Sequence, residues 1–264
     1  MCLILLAWRA REDYPLVLAA NRDEFYRRPS APAQFWDDEP GVLGGRDLEK
    51  GGTWLAVSRS GRLAAVTNYR DGRGRRAAPR SRGELVASFV AGTDAPDRYV
   101  AGLAASAADY DGFNLLVGSL WDGIAYYSNR GGAPHQLQPG VHGLSNHLLN
   151  SPWPKVERGK AGLLDLLAAP AGELVPALFS LLEDQTPAPD DLLPDTGVGH
   201  AWERVLSTAF IRSADYGTRC TTVILADAAG QVRFIEHTHA LGLTGAQRRE
   251  YAFRANPPIA AATP

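Results

Sequence analysis

Apolar positions open the chain in two runs, Cys2–Trp8 and Leu16–Ala20, separated by the charged connection RAREDYP. Runs this short, apolar at nearly every position, are the pattern of strands covered on both faces, and the polar connection predicts a hairpin. The arrangement recurs where TWLAVS and RLAAVTN flank RSG, whose Gly61 suits a tight turn, and where FNLLVGS and IAYYSN flank WDG. Towards the other end, TRCTTVILAD, QVRFIEHTH and REYAFR read as three consecutive strands. Between these strands the apolar period changes. SRGELVASFVAG carries apolar residues at helical intervals, with Ser81 and Glu84 spaced as a capping box. Ser151 to Ala169 predicts a second helix, with Ser151 as its cap and Pro152 near its first turn. ELVPALFSLLED predicts a third, with Pro176 close enough to its start to be tolerated. Gln185 to Gly199 mixes aspartates and prolines and predicts an irregular surface loop. Strand hairpins at both ends with helices between them predict one α+β domain over residues 1–254 and a fraying tail at 255–264. The pattern alone does not separate a four-layer sandwich from simpler α+β arrangements.

Composition narrows the function classes. A net charge of -2 supplies no global basic field for nucleic acid or an anionic membrane. No run approaches the ~20 apolar residues that span a bilayer, so no stable membrane insertion is expected. The opening run meets charge after Trp8 and lacks a basic leader, which predicts no secretory signal. Two cysteines make no disulfide framework, and the absence of Cys-x-x-Cys removes zinc-ribbon and thioredoxin-like readings. A cytoplasmic protein with reduced thiols and no metal is the expectation; the oligomeric state is open. Six arginines between Arg70 and Arg82 form the most basic stretch. It could meet phosphate, carboxylate or a coenzyme A tail, although an arginine-rich loop is more often simply solvated.

The chemistry concentrates near the start. If Met1 is removed, Cys2 carries a thiol and a free amine on one residue, and an α-amine with a pKa of ~7.7–8.0 is a base near neutral pH. It can take the thiol proton and return it to a leaving amine. The alternative is a small buried cysteine on a first strand. Next, Asn21, Arg22, Asp23 and Glu24 follow the second apolar run. On an extended strand Arg22 and Glu24 share one face, Asn21 and Asp23 the other. The predicted hairpin would bring them towards Cys2, where arginine lowers a thiol pKa or binds an anion and a carboxylate receives an ammonium. The alternative is a hydrogen-bonded turn with a local ion pair.

MCLILLAW, ANRDEFYRRP, GGTWLAV, TNYR, SRGELV, LSNHLLNSPWPKV and YGTRCTTVIL together resemble the NRDE family, which is named for its Asn-Arg-Asp-Glu motif and includes the transport and Golgi organisation protein 2 group. The resemblance runs from Met1 to about Phe253 and implies an αββα sandwich of two antiparallel sheets, as in N-terminal nucleophile hydrolases. It implies Cys2 as nucleophile, Arg22 and Asp23 (or Glu24) orienting the head of the site, Asn68 and Asn146 supporting the oxyanion and amine, and Arg219 as a late active-site arginine. Asn21, Glu24, Trp54 and Arg70 are the expected substrate contacts. Each has a plainer alternative: Asn68 as a strand end, Asn146 as a loop brace, Arg219 as a carboxylate brace, Trp54 as core. Cys220 is read as packing. The implied function is a Cys2-dependent amidohydrolase or acyl-transfer protein acting on a small amide, with no cofactor required. The rival is a carrier of haem, acyl-CoA or another amphipathic ligand. His135, His142, His147, His237 and His239 form no recognised haem motif.

Overall fold

The structure, a computed structural model, describes residues 2–74, 78–240 and 245–257. The first sheet is built on β1 (Cys2–Trp8) and β2 (Leu16–Phe25), the predicted hairpin. The second holds β3 (Ser30–Phe35), β4 (Val42–Asp47), β5 (Leu55–Ser58), β6 (Arg62–Asn68), β7 (Phe113–Ser119), β8 (Gly123–Ser128) and the short β9 (His135–Gln136), in that order. The chain then returns to the first sheet with β10 (Gly140–Leu144), β11 (Tyr216–Ala226), β12 (Gln231–Thr238) and β13 (Gln247–Arg254). Strand order there is β10-β1-β2-β11-β12-β13, and every strand pairing within either sheet is antiparallel.

Alternation along the strands sorts side chains into layers. On β1, Ile4, Leu6 and Trp8 join residues of the second sheet such as Leu43, Leu55 and Leu116 in a core between the sheets. Leu3, Leu5 and Ala7 face the other way, into a core made with α3 (Pro154–Leu166) and α4 (Ala171–Leu182). The second sheet is covered on its outer face by α1 (Arg82–Ala91) and α2 (Pro96–Leu103). A single turn and a half, α5 (His200–Val205), precedes β11. The order of layers is therefore αββα. It explains why Cys2–Trp8 and the Leu16–Ala20 part of β2 are apolar throughout: each is covered on two faces.

Several expectations are corrected. The second strand does not stop at Ala20 but runs through the four polar residues to Phe25, because β1 supplies ladder partners as far as Arg22 and β11 as far as Phe25. Ser81 occupies the N-cap position of α1 but makes no side-chain capping bond, and Glu84 pairs with Arg80 instead. Ser151 does not cap α3, which starts at Pro154; its hydroxyl bonds His147 Nδ1 at 2.7 Å. The tail is anchored at its start, where the Ala255 and Asn256 amides donate to the carbonyls of Gly230 and Arg59. From Pro258 onward it lies outside the described residues.

Candidate active site

Antiparallel register sets Cys2 opposite Arg22, and Arg22 opposite Cys220. Cys2 shares the face of Ile4 and Leu6, so its thiol lies at the end of the inter-sheet core, partly buried, on the floor of a cleft of about 560 Å³. Arg22 is 5% exposed and its guanidinium stacks 4.2 Å from the Trp54 ring centroid. That cation–π contact makes Trp54 a wall of the cleft. Two glycine positions bring the wall close. Gly45 lies flat against the indole, where a Cβ would overlap the ring. A Cβ on Gly52 would sit 2.5 Å from the Gly83 carbonyl carbon, and the Thr53 amide donates to the Gly83 carbonyl at 3.2 Å. The GGTW turn is thereby pinned to the start of α1.

At the far side of the thiol, Asn68 ends β6, lines the cleft and makes no side-chain hydrogen bond among the described residues. Asn146 does not line it. It is fully buried, its Nδ2 donates to the Asn68 carbonyl at 3.1 Å, and its own carbonyl accepts the Arg70 amide at 2.7 Å. The Ser145 hydroxyl is shared between the Cys2 carbonyl at 3.0 Å and Asn146 Oδ1 at 3.2 Å. Asn146 thus braces the strand ends that carry Asn68 and Cys2, rather than meeting an oxyanion itself.

The four residues of the motif divide by strand face. Arg22 and Glu24 line the cleft, and Glu24 accepts its neighbour's amide (Phe25, 2.8 Å) while lying 3.9 Å from Arg28. Asn21 is turned into the helical layer, where its Nδ2 donates to the Leu182 and Ala209 carbonyls, each at 2.8 Å; it cannot contact a ligand in the cleft. Asp23 borders the cleft but is held from behind by the Thr218 hydroxyl at 2.7 Å. Arg70 leaves the site as well. It is locked to Glu203 at 2.5 Å, both side chains buried, and covered by the Trp153 ring at 4.4 Å. Arg219 sits on a β-bulge between Thr218 and Cys220, which aims it at the Phe25 and Arg28 carbonyls, both at 2.9 Å. It braces backbone, not a carboxylate, and lines a second cavity of about 260 Å³ behind the Arg22–Trp54 wall. Cys220 is buried there, as packing requires.

Burial dominates the electrostatics. It pushes the Cys2 thiol up, the Asp23 charge adds to this, and Arg22 opposes it. Burial also raises the Asp23 carboxyl, with Lys155 the largest opposing charge. Lys155 is driven down to about 8 by burial, against the pull of Asp23. The sequence reading missed Lys155, and it also missed Arg28 and Lys50 on the cleft rim. Arg80 and Arg82 were visible as part of the arginine-rich stretch and do reach the rim, whereas Arg73 pairs with Asp195 outside it and Arg75 and Arg76 lie outside the described residues. Among the described residues no cluster of His, Cys, Asp and Glu gathers to hold a metal, and no helix is long and apolar enough to cross a membrane.

Two antiparallel sheets between helical layers, with a cysteine at the head of a central strand opening into a cleft, define an N-terminal-nucleophile-hydrolase-like architecture. Within it, the chain belongs to the Transport and Golgi organisation 2 family, whose model matches residues 1–240. The chain is 41% identical over 261 residues to the Transport and Golgi organization protein 2 homolog of Bos taurus, a match covering 90% of this chain and 93% of that protein. To the Homo sapiens homolog it is 40% identical, with the same coverage, and to Transport and Golgi organization protein 2 of Drosophila melanogaster 32%, covering 85% and 86%. Among solved structures it is similar to the Caenorhabditis elegans N-acylethanolamine-hydrolyzing acid amidase ortholog, with a TM-score of 0.47 at 11% identity over 85% of this chain and 92% of that one. The conjugated bile acid hydrolase of Clostridium perfringens (C2A mutant) gives a TM-score of 0.43 at 11% identity, with both chains covered in full.

Proposed function

We propose that this protein is a Cys2-dependent amidohydrolase or acyl-transfer enzyme acting on a small amide. The observation that carries the reading is the meeting of Cys2, Arg22 and an uncommitted Asn68 amide on one cleft. With Met1 removed, the Cys2 α-amine takes the thiol proton as sulfur attacks the carbonyl carbon. The Asn68 Nδ2 is the donor placed for the oxyanion, and Asn146 holds it in position. The resulting ammonium gives its proton to the leaving amine as the C–N bond breaks, and water or an acceptor amine then resolves the thioester. Arg22, its cation already desolvated against Trp54, suits a carboxylate or other anionic group on the substrate. No metal or organic cofactor takes part in this scheme.

The test is turnover of a library of N-acyl amides by protein from its native host, with intact mass reporting whether Met1 is gone. Hydrolysis that Cys2→Ala abolishes, with a thioester trapped by hydroxylamine, supports the reading. Retained Met1, or turnover that survives Cys2→Ala, ends it. A second reading is favoured by one observation: the two cavities share Arg22, Arg28 and Trp54, so an amphipathic ligand has a cationic neck with room on both sides. On that reading the protein carries acyl-CoA or haem. Saturable binding of either, unchanged in Cys2→Ala and without turnover, would replace the enzyme reading.

A further inference from the structure

Among the described residues, three arginines border the cavity of about 260 Å³ behind the Trp54 wall, and one of them is ion-paired. Arg28 pairs with Asp47 at 2.7 Å and has Glu49 at 3.7 Å and Glu24 at 3.9 Å. Arg22 and Arg219 form no ion pair among the described residues. Arg22 comes from β2, is 5% exposed and is covered on one face by the Trp54 ring at 4.2 Å. Its one side-chain hydrogen-bond contact among the described residues is from Nη1 to the Ser30 hydroxyl at 3.5 Å, the outer limit of such a bond. Arg219 comes from the bulge of β11. Its Nη1 donates to the Phe25 and Arg28 carbonyls, its Nε has no partner among the described residues, and its Nη2 stands 3.5 Å from the same Ser30 Oγ. Two guanidiniums from different strands thus converge on one neutral hydroxyl at the start of β3. An arginine does not lose its proton in a protein, so deprotonation cannot relieve its burial, and a desolvated guanidinium calls for an anion. Glu236, the one carboxylate lining this cavity among the described residues, does not supply it. Its Oε1 accepts the Ala33 amide at 2.7 Å, its Oε2 stands 3.5 Å from the Thr222 hydroxyl, and it forms no ion pair among the described residues. The Ser30 hydroxyl faces both arginines as an acceptor, and its own proton has no acceptor among the described residues. The cluster is therefore a set of donors without a charged acceptor, and Pro29, Pro32 and Leu48 give the same cavity an apolar side.

We infer that Arg22, Arg219 and Ser30 form a seat for an oxyanion, the carboxylate or phosphate group of a small organic acid whose apolar part lies along Pro29, Pro32 and Leu48 in this back cavity. Charge-assisted bonds from two guanidiniums, with a third from the hydroxyl, suit either group. The seat goes beyond both readings of the cleft. A substrate anion on Arg22 at the Cys2 side needs the cleft alone, whereas Arg219, Ser30 and the back cavity take no part in that scheme. It stands whether the cleft hydrolyses an amide or carries a ligand, because its contacts involve neither Cys2 nor Asn68.

The test is isothermal titration of the full chain with hexanoate, acetate and inorganic phosphate, at constant ionic strength held with chloride. Hexanoate is expected to saturate one site per chain and to bind about tenfold tighter than acetate, whose missing methylenes leave the apolar side uncovered. Phosphate saturating one site in place of hexanoate also supports the seat and assigns it to a phosphate group. In either case Arg219→Met and Ser30→Ala each weaken binding about tenfold. Arg219→Met also gives up the Phe25 and Arg28 carbonyls, so a misfolded variant is covered by Ser30→Ala, which removes one hydroxyl, and by the unaltered protein itself. The inference is overturned if neither hexanoate nor phosphate saturates a site, or if Ser30→Ala binds as the original protein does. Binding that falls in Lys50→Met but not in Arg219→Met or Ser30→Ala puts the anion on the outer rim of the Cys2 cleft and overturns it equally. Anion binding in a protein that turns over no amide leaves the seat standing while the enzyme reading fails. Amide turnover without anion binding does the reverse.

Discussion

Two asparagines that share a role in the sequence reading separate into different jobs at the level of single side chains. Asn68 makes no side-chain hydrogen bond among the described residues, so Asn68→Ala removes nothing from the folded state. Its stability should stay within ~0.5 kcal/mol of the original, while turnover falls by about 10²–10³, the usual loss of one oxyanion donor. Asn146→Ala should lose both, because it removes the donor to the partly buried Asn68 carbonyl at a cost of ~1–3 kcal/mol and releases the strand end beneath Asn68. Urea unfolding beside steady-state kinetics distinguishes the two patterns. Equal destabilisation in both variants would refute the division. Arg70 is likewise a stability residue. Removing it in Arg70→Met leaves Glu203 charged and buried and should cost ~3–5 kcal/mol. Arg70→Met combined with Glu203→Leu should recover most of that, with KM unchanged in whatever fraction folds. A raised KM without destabilisation would return Arg70 to the binding site.

At the scale of elements, what the sequence revealed follows a physical rule. Strands buried on both faces announce themselves by near-continuous apolar runs, as in Cys2–Trp8, where every position is apolar, and in the Leu115–Val117 centre of Phe113–Ser119. Ser30–Phe35 and Val42–Asp47 did not, since they carry Pro32, Gly44 and Gly45 and half-exposed positions at the edge of the second sheet. The continuation of β2 through Asn21–Phe25 was hidden for a related reason: its polar side chains are satisfied by Leu182, Ala209 and Thr218, residues ~160–200 positions away, and no local pattern encodes such partners. The same holds for the site. Cys2 and Arg22 were legible because a hairpin is local, whereas Lys155 is buried by the packing of α3 on the first sheet, which no local pattern encodes. The wall made by the GGTW turn and α1 is tertiary as well, and it yields a prediction. Gly52→Ala forces the backbone away from Gly83 and should cost ~1–3 kcal/mol by overpacking. It also moves Trp54 relative to Arg22, so ligand affinity should fall more than for Gly51→Ala, whose site has open space but a φ of 73°. Titration with the best ligand found for the cleft compares them, and equal losses would mean that the Gly52–Gly83 approach does not shape the cleft.

Over the whole molecule, buried ionisable groups give stability two opposed dependences on pH. Burial holds the Asp23 and Glu236 carboxyls above their ordinary range, so the folded state keeps protons that the unfolded chain releases. Their contribution is fullest below the unfolded value of ~4 and is lost as pH rises. His237 on β12 and His239 just after it act in the other direction. His237 stacks on Phe179 and is lowered by burial; His239 packs edge-on to Phe210 and is lowered to about 4, again chiefly by burial. His239 ends a polar chain that fixes its tautomer: Thr221 spends its hydroxyl proton on Asn21 Oδ1 at 2.6 Å, so His239 Nε2–H donates to Thr221 at 2.8 Å. Asn21 in turn holds the helical layer, which makes His239 a reporter of whether β2, β11 and β12 are docked against it. Between about pH 4 and 6.5 the unfolded chain carries the His239 proton and the folded protein does not, so this contribution rises with pH and is complete above 6.5. His239→Gln keeps a side-chain donor but cannot titrate. Its stability deficit relative to the original protein should therefore be greatest near neutral pH and shrink steadily as the solution is acidified through that window. Urea unfolding across the interval measures the difference directly. A deficit that stays constant would show that the imidazole is equally free to take a proton folded or unfolded, and that the sheet and its helices do not close over it.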